Sequence, residues 1–211
     1  MSFSPSKENI LKKIRKALSH STPLPFPASE GNTSVFHPSK QEMEIEFAEQ
    51  FSQLQGRFIF CINRQELAFQ LGSLVKKQDW QQVFCVEEKL VEPLAIQLEG
   101  RLTKADLPNA DVSITGCEYL VARTGSIVMS AAQLSGRTTS VYAPVHICIA
   151  YTSQLVYDIK DALQGLKEKY ADNLPSLITF ATGPSRTADI EKTLVVGVHG
   201  PKEVYLFLVE G

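Results

Sequence analysis

The segment TGPSRTADIEKTLVVGVHGP, residues 182–201, combines turn-forming residues with side chains that can bind an anion. Gly183 and Pro184 follow an apolar run that is typical of a strand, and the ligands of open α/β sheets bind where such strands end. We expect a helix after this turn, capped by Ser185 or Thr187, because the free N–H groups of a helix N-terminus attract anions. The segment therefore predicts a ligand site.

Arg186 is the predicted anchor of that ligand, since a planar guanidinium can hold a carboxylate through two parallel hydrogen bonds. Asp189 and Glu191 place negative charge nearby, which argues against a polyphosphate ligand. These two acids would instead satisfy the helix terminus or orient Arg186. The alternative interpretation is an ordinary capped turn with an Arg–Asp pair on the surface.

His199 lies in a second turn, which follows the apolar run LVV. An imidazole exchanges its proton near neutral pH, so His199 is a candidate general acid or base, or a hydrogen-bonding partner for a substrate. A structural histidine beside a turn is the alternative. We expect Arg186 and His199 to meet at the same edge of the sheet, and we include the neighbouring Gly200 among the ligand-binding positions.

The segment GCEYLVARTGSIVMS carries a third set of candidates. Glu118 is predicted to begin a helical turn beside apolar residues that could raise its pKa, which would suit acid–base catalysis; a plain surface glutamate is the alternative. Gly125 would allow a ligand to approach the backbone, with the hydroxyls of Thr124 and Ser126 beside it. His146, by contrast, shares a predicted strand face with apolar residues, which favours a core histidine.

Common cofactor motifs do not occur in the sequence, which has no glycine-rich dinucleotide motif, P-loop, nucleophile elbow or H-E-x-x-H. The sequence has four cysteines, Cys61, Cys85, Cys117 and Cys148. They form no C-x-x-C pair, and three of them lie in apolar runs. We interpret them as core thiols, and we predict no cofactor and no metal or iron–sulfur site in this chain.

Composition excludes several classes of function. The 211 residues are 44% hydrophobic and carry 21 Lys and Arg against 23 Asp and Glu. These values fit one main globular domain without the positive field that a nucleic acid requires. No apolar run approaches the roughly 18 residues of a membrane span, and no secretory signal sequence is recognisable, so we expect a cytoplasmic protein.

The first 38 residues differ in pattern from the rest of the chain. A basic helix is predicted there, with its apolar stripe formed by Ile10, Leu11, Ile14, Ala17 and Leu18. We expect this helix to pack on the domain or on a partner chain, with a membrane surface as the alternative. The following proline-rich stretch predicts an extended linker, so we divide the chain into residues 1–38 and an α/β domain over residues 39–211.

Strands and helices alternate in the first half of that domain, which predicts an α/β fold with parallel crossovers. Ser39 and Glu42 suggest a capping box at the start of one helix, and Asn63 with Glu66 predicts the start of another. Strands are predicted on either side of the second helix, at residues 57–62 and 82–86.

The second half repeats this order, with a strand at residues 146–151, a helix at 153–170 and a strand at 177–182. The pieces between the halves are short and β-prone, which indicates a more irregular and partly antiparallel middle: they are DVSIT, SIVMSA and TTSVYA.

Four segments together resemble the LUD-domain proteins, specifically the C-type lactate-utilisation proteins: ARTGSIVMS, SGR, APVHICIA and TGPSRTADIEKTLVVGVHGP. The resemblance covers residues 110–208, and the last segment is long enough to be quite specific. The positions that match the family are Thr124, Gly125, Ser126, Gly136, Arg137, Pro144, His146, Gly183, Pro184, Ser185, Arg186, Thr187, Asp189, Glu191, His199, Gly200 and Pro201.

The resemblance implies a NagB/RpiA/CoA-transferase-like fold, a three-layer sandwich with a mostly parallel sheet. It also implies a part in oxidising L-lactate to pyruvate beside partner proteins that carry iron–sulfur clusters. Our first hypothesis is a non-catalytic or co-catalytic subunit that binds a small carboxylate or a partner. The second is a free-standing isomerase or CoA-transferase-like enzyme on a small carboxylate or sugar phosphate, in which Glu118 or His199 acts. The sequence leaves a homo-oligomer open.

The cysteine pattern generates a prediction about metal content. Scattered thiols in apolar runs do not form a cluster site, so the isolated protein is expected to be colourless and to lack stoichiometric iron. Metal analysis after anaerobic purification tests this, and several iron atoms per chain would contradict it.

Overall fold

The computed structural model describes residues 5–19, 39, 41–98, 100–188 and 194–211. The chain forms two compact units, Met1–Pro38 and Ser39–Gly211. In the first unit, helix α1 spans Pro5–Leu18, and its apolar residues Ile10, Leu11 and Ile14 are exposed. The predicted linker over residues 22–38 lies outside the described residues.

A six-stranded parallel sheet forms the centre of the second unit. Its strands, numbered along the chain, are β1 (Arg57–Cys61), β2 (Val83–Phe84), β3 (Leu102–Thr103), β4 (Val112–Thr115), β7 (Val145–Tyr151) and β12 (Glu203–Val209). They follow the order β1-β12-β7-β4-β2-β3, and every pair is parallel. The apolar sequences of β7 and β12 suit this position, because a parallel sheet is buried on both faces. The predicted α/β fold with a mostly parallel sheet is confirmed.

A second sheet has four strands in the order β8-β5-β6-β9. These strands are β5 (Tyr119–Val121), β6 (Ser126–Ser130), β8 (Leu155–Val156) and β9 (Ile178–Ala181). Strand β6 runs antiparallel to both β5 and β9, which confirms the partly antiparallel middle. The expectation that β9 returns in parallel beside β7 is wrong, because β9 pairs with β6 instead.

A separate hairpin joins β10 (Arg186–Ala188) to β11 (Leu194–Val196). This hairpin replaces the helix that was expected after Gly183. In the hairpin, the backbone of Arg186–Ala188 pairs with β11, so these residues present no helix N-terminus to a ligand.

Helices and the second sheet cover the two faces of the six-stranded sheet. The helices of the second unit are α2 (Met43–Gln53), α3 (Arg64–Lys77), α4 (Glu88–Leu98), α5 (Thr139–Tyr142) and α6 (Ile159–Tyr170). Leucines of α3 and α4 pack on one face, in a core with Ile147 and Phe207. On the other face, the second sheet and α2 pack against Cys148 and Leu206. Helix α6 packs in turn on the second sheet, through Ala162 and Leu166.

Capping explains which helix boundaries the sequence predicted correctly. The Asn63 side chain accepts from the Glu66 N–H at 2.9 Å, and the Glu66 carboxylate accepts from the Ile62 N–H at 2.8 Å, as expected for α3. The capping box proposed for α2 is wrong, because Glu42 is itself the N-cap residue, while the Ser39 hydroxyl donates to Glu46.

Two further element predictions are corrected by local pairing. Helix α6 begins at Ile159 rather than near 153, since Asp158 caps it and Leu155–Val156 pairs with β5. The piece TTSVYA forms the short helix α5 rather than a strand. Its Thr139 hydroxyl donates to the Ser135 carbonyl oxygen at 2.6 Å, one helical turn earlier.

Removal of residues 1–38 tests the predicted domain boundary. The described core clusters draw all their residues from Phe47 onward, so the truncated chain is expected to unfold in a single cooperative transition. Circular dichroism during heating provides the measurement. Loss of the cooperative transition would show that the first 38 residues complete the core or an oligomer interface.

Candidate functional site

The described residues form openings at both edges of the six-stranded sheet. A cleft of about 750 Å³ lies at the carboxyl ends of β1, β2, β4 and β7, and we call it the carboxyl-edge cleft. Two smaller cavities, of about 240 and 390 Å³, lie at the amino ends of β7 and β12, and we call them the amino-edge cavities. Open α/β sheets bind ligands at the carboxyl edge, which makes the larger cleft the stronger candidate.

Charged side chains of both signs line the carboxyl-edge cleft. Three are cations, Arg64, Lys89 and Lys169, and four are carboxylates, Glu87, Glu88, Glu92 and Glu118. Helices α3 and α4 begin beside it, so the positive ends of two helix dipoles add to the cations. The Arg64 guanidinium lies 5.5 Å from the centre of the Tyr151 ring, a cation–π contact that holds it at the cleft wall.

Glu118 is buried at the base of this cleft, directly before β5, and is 5% exposed. One oxygen, Oε1, accepts from the Ser130 hydroxyl at 2.6 Å and from the Tyr170 hydroxyl at 2.7 Å. The other oxygen, Oε2, accepts from the Lys169 ammonium at 2.6 Å. Burial opposes ionisation, but the hydrogen bonds from Lys169, Ser130 and Tyr170 hold the pKa of Glu118 below its ordinary value.

These contacts correct three expectations about Glu118. It directly precedes a strand rather than beginning a helical turn, it is buried rather than on the surface as the alternative interpretation had it, and its pKa is lowered rather than raised. The apolar neighbours identified in the sequence do bury the carboxylate. Donors from distant parts of the chain outweigh that burial, and Glu118 is therefore an ionised carboxylate at neutral pH.

Polar groups near Glu118 order the wall of the cleft. Glu87 Oε1 accepts from the Gly116 N–H at 2.9 Å, and Gln133 Oε1 accepts from the Ser130 N–H at 2.9 Å. Gln154 donates through Nε2 to the carbonyl oxygen of Cys117 at 2.6 Å. The cleft thus combines cations with carboxylate and amide groups in fixed positions.

The amino-edge cavities contain part of the site expected from the segment at residues 182–201. The 240 Å³ cavity is lined by several of those candidates, namely Gly183, Pro184, Ser185, His199 and Gly200. His199 and Gly200 also border the 390 Å³ cavity, and His199 is exposed. The structure therefore places His199 beside the Gly183 turn, at the edge opposite Glu118.

The Arg186 side chain is engaged with helix α2. Its Nη2 donates to the carbonyl oxygen of Leu54, the C-cap residue of α2, at 2.6 Å. A cation at this position is favourable, because the carbonyl groups at a helix C-terminus carry partial negative charge. The Thr187 side chain, Asp189 and Glu191 lie outside the described residues.

Two candidate glycines also contact α2. Gly125 and Gly183 have φ of +59° and +82°. A Cβ atom on Gly125 would lie 2.6 Å from the Phe51 nitrogen, and one on Gly183 would lie 2.5 Å from the Leu54 oxygen. Both glycines therefore let the backbone approach the end of α2.

The hydroxyl groups beside these glycines bond to one another. The Ser126 hydroxyl lies 2.8 Å from the Thr124 hydroxyl and 2.9 Å from the Thr182 hydroxyl. This chain connects the TGS and TGPSR segments. It gives Thr124 and Ser126 partners within the protein.

Comparisons with known proteins place the chain in a family. The LUD domain model matches residues 45–209, most of the chain. The chain belongs to the LUD-domain family. A DUF162 family protein from Deinococcus radiodurans has the same fold, with a TM-score of 0.60 and 19% identity over 82% of this chain and 99% of the other.

Relatives of this LUD domain include proteins named for lactate utilisation. Lactate utilization protein C of Halalkalibacterium halodurans is 38% identical over 114 residues, 53% of this chain and 50% of the relative. The Bacillus subtilis protein of that name is 36% identical over 113 residues, 53% and 46% of the two chains. Protein NMB1437 of Neisseria meningitidis is 33% identical over 121 residues, 56% and 51%. The chain spans about half the length of the curated relatives it matches.

Sequence reasoning missed several residues that line the carboxyl-edge cleft of the LUD domain. Lys169 and Tyr170 are separated from Glu118 by 51 and 52 positions, and no local pattern links them. Arg64 and Glu87 follow predicted strands, so the strand-end rule applied to the first half of the chain would have indicated them.

The described residues show neither a metal site nor a membrane span. They contain no group of three or more His, Cys, Asp or Glu side chains that could hold a metal ion. All four cysteines are free and buried, and burial raises the pKa of Cys61 and of Cys85 to about 11. Within the described ranges, no helix is long and apolar enough to cross a bilayer.

His146 is a core histidine, as predicted. It is 1% exposed, and its Nε2 lies 2.8 Å from the Thr115 hydroxyl. Burial lowers the pKa of His146 to about 4, so the ring is neutral in the folded LUD domain at neutral pH.

The buried His146 generates a prediction about stability and pH. Its folded pKa of about 4 lies below the ordinary 6.5, so the unfolded chain binds the extra proton. The free energy of unfolding is therefore expected to fall as pH drops from 6.5 to 4, by an amount on the order of 3 kcal/mol. His146→Gln, which keeps a partner for Thr115, should flatten this dependence in urea titrations. His199→Gln is the control, and an equal flattening in it would contradict the assignment.

Proposed function

We propose that this chain is a component of an L-lactate utilisation system, which oxidises L-lactate to pyruvate together with iron–sulfur partner proteins. The names of its relatives and its LUD domain support this role. We further propose that the chain binds a small carboxylate in the carboxyl-edge cleft.

The position and lining of the cleft are the observation that carries this second proposal. It lies at the carboxyl ends of four parallel strands, where Arg64, Lys89 and Lys169 supply positive charge beside two helix N-termini. A 2-hydroxy acid combines one carboxylate with a neighbouring hydroxyl group. The cations suit the carboxylate, while Glu87 and Gln133 can accept from or donate to the second oxygen.

Oxidation of lactate also requires an acceptor for two electrons. Iron–sulfur clusters in the partner proteins would supply this acceptor. The chain would then bind or present the substrate.

A free-standing isomerase or CoA-transferase-like enzyme is the second candidate function. It would use Glu118 as the reacting carboxylate, as the location of this residue in the cleft would allow. The three hydrogen bonds that Glu118 accepts count against this role, because a nucleophile or general base needs a free lone pair directed at the substrate.

Substitution of Arg64 tests the location of the carboxylate. Arg64→Ala removes a planar donor pair from the cleft, so the dissociation constant for L-lactate or pyruvate is expected to rise about tenfold or more. Titration calorimetry on the full chain measures it. Lactate oxidation in a system reconstituted with the iron–sulfur partners should fall in parallel.

Arg186→Lys and His199→Gln test the competing site at the amino edge. Both variants are expected to bind lactate like the wild type. If they lose binding while Arg64→Ala retains it, the carboxylate lies in the amino-edge cavities. If no variant affects lactate oxidation and the wild type binds neither acid, the proposed ligand is wrong.

A further inference from the structure

The carboxyl-edge cleft contains an ion pair whose two members lie in different surroundings. The Glu118 side chain is 1% exposed, whereas the Lys169 side chain is 55% exposed. The Nζ–Oε2 distance between them is 2.6 Å. In this pair the anion, Glu118, is buried, and the cation, Lys169, is partly exposed at the surface of the cleft.

Glu118 has its hydrogen-bonding capacity largely committed inside the protein. Ser130 and Tyr170 donate to one oxygen and Lys169 donates to the other. A carboxylate with three such donors is stabilised in its ionised form. It is therefore suited to holding its partners in place.

Lys169 has donors left for a ligand. An ammonium group has three N–H bonds, and Glu118 accepts one of them. The Tyr170 ring lies 5.3 Å from Nζ and, with Glu118, restricts the position of the flexible side chain. A lysine that is already ordered loses less conformational entropy when it binds a ligand.

The charge state of Lys169 also determines whether this residue binds an anion or acts as a nucleophile. Hydrogen bonding to Glu118 raises the pKa of Lys169 above its ordinary value, so the amine stays protonated at neutral pH. A protonated amine binds an anion through charge and hydrogen bonds, and it does not attack a 2-oxo acid to form an imine.

We propose that Lys169 is one of the residues that contact the anion in the carboxyl-edge cleft, and that Glu118, with Ser130 and Tyr170, is a positioning residue for it. The ligand class is a small carboxylate, and this part rests on the proposed function. Glu118 itself neither accepts a proton from the ligand nor forms a bond to it.

Matched glutamine substitutions on helix α6 test the contact. Lys169→Gln removes the charge but keeps a donor for Glu118, and Lys167→Gln makes the same change at an exposed lysine of the same turn. L-lactate, pyruvate and inorganic phosphate are titrated separately into the full chain. We expect Lys169→Gln to weaken binding at least tenfold and Lys167→Gln to change it less than twofold.

The results separate this inference from the proposed function. If lactate or pyruvate binds and both lysine variants behave alike, Lys169 is not the contact, although the carboxylate proposal stands. If phosphate alone binds and Lys169→Gln abolishes it, the anion site is supported and lactate is the wrong ligand. If the wild type binds none of the three anions, both proposals are overturned.

The positioning role of Glu118 has its own readout, which needs no ligand. Selective ¹³C labelling of lysine gives a Cε signal for each lysine, and Lys169→Gln identifies the signal of Lys169. Glu118→Gln is expected to lower the Lys169 pKa measured from this signal, and Tyr170→Phe provides a milder change that retains the ion pair. An unchanged pKa in a folded Glu118→Gln variant would overturn the positioning role.

Discussion

Parallel pairing of β12 with both β1 and β7 is the constraint on which the rest of the LUD domain depends. Because neighbouring strands run in the same direction, each connection must cross back over a face of the sheet. Helices α3 and α4 do so over one face, and each begins at the carboxyl edge. Strand ends, helix N-termini and the residues that follow them therefore collect around one cleft.

The second sheet gives this arrangement its chemical character. It covers the other face of the parallel sheet and brings Glu118, directly before β5, beside Ser130 at the end of β6, close to the last turn of α6. Gly125 lies in the turn between β5 and β6, Gly183 follows β9, and both contact the end of α2. Motif residues that suggested ligand binding thus also fix a helix in place.

Local sequence patterns predicted the parts of the fold that depend on near neighbours. The apolar runs of β1 and β7 and the Asn63 cap of α3 are examples. Patterns failed where distant residues decide the outcome: β9 pairs with β6, and Arg186 enters a hairpin rather than a helix. The predicted rise in the pKa of Glu118 was wrong for the same reason. Its apolar sequence neighbours indicated burial, but no local pattern indicated its contacts with Lys169 and Tyr170.

The ion pair between Glu118 and Lys169 also joins two layers mechanically. Glu118 precedes the inner strand β5, while Lys169 lies in the final turn of the outer helix α6. Because the same lysine lines the cleft, the residue that fastens the end of α6 is also the one that meets whatever enters the cleft.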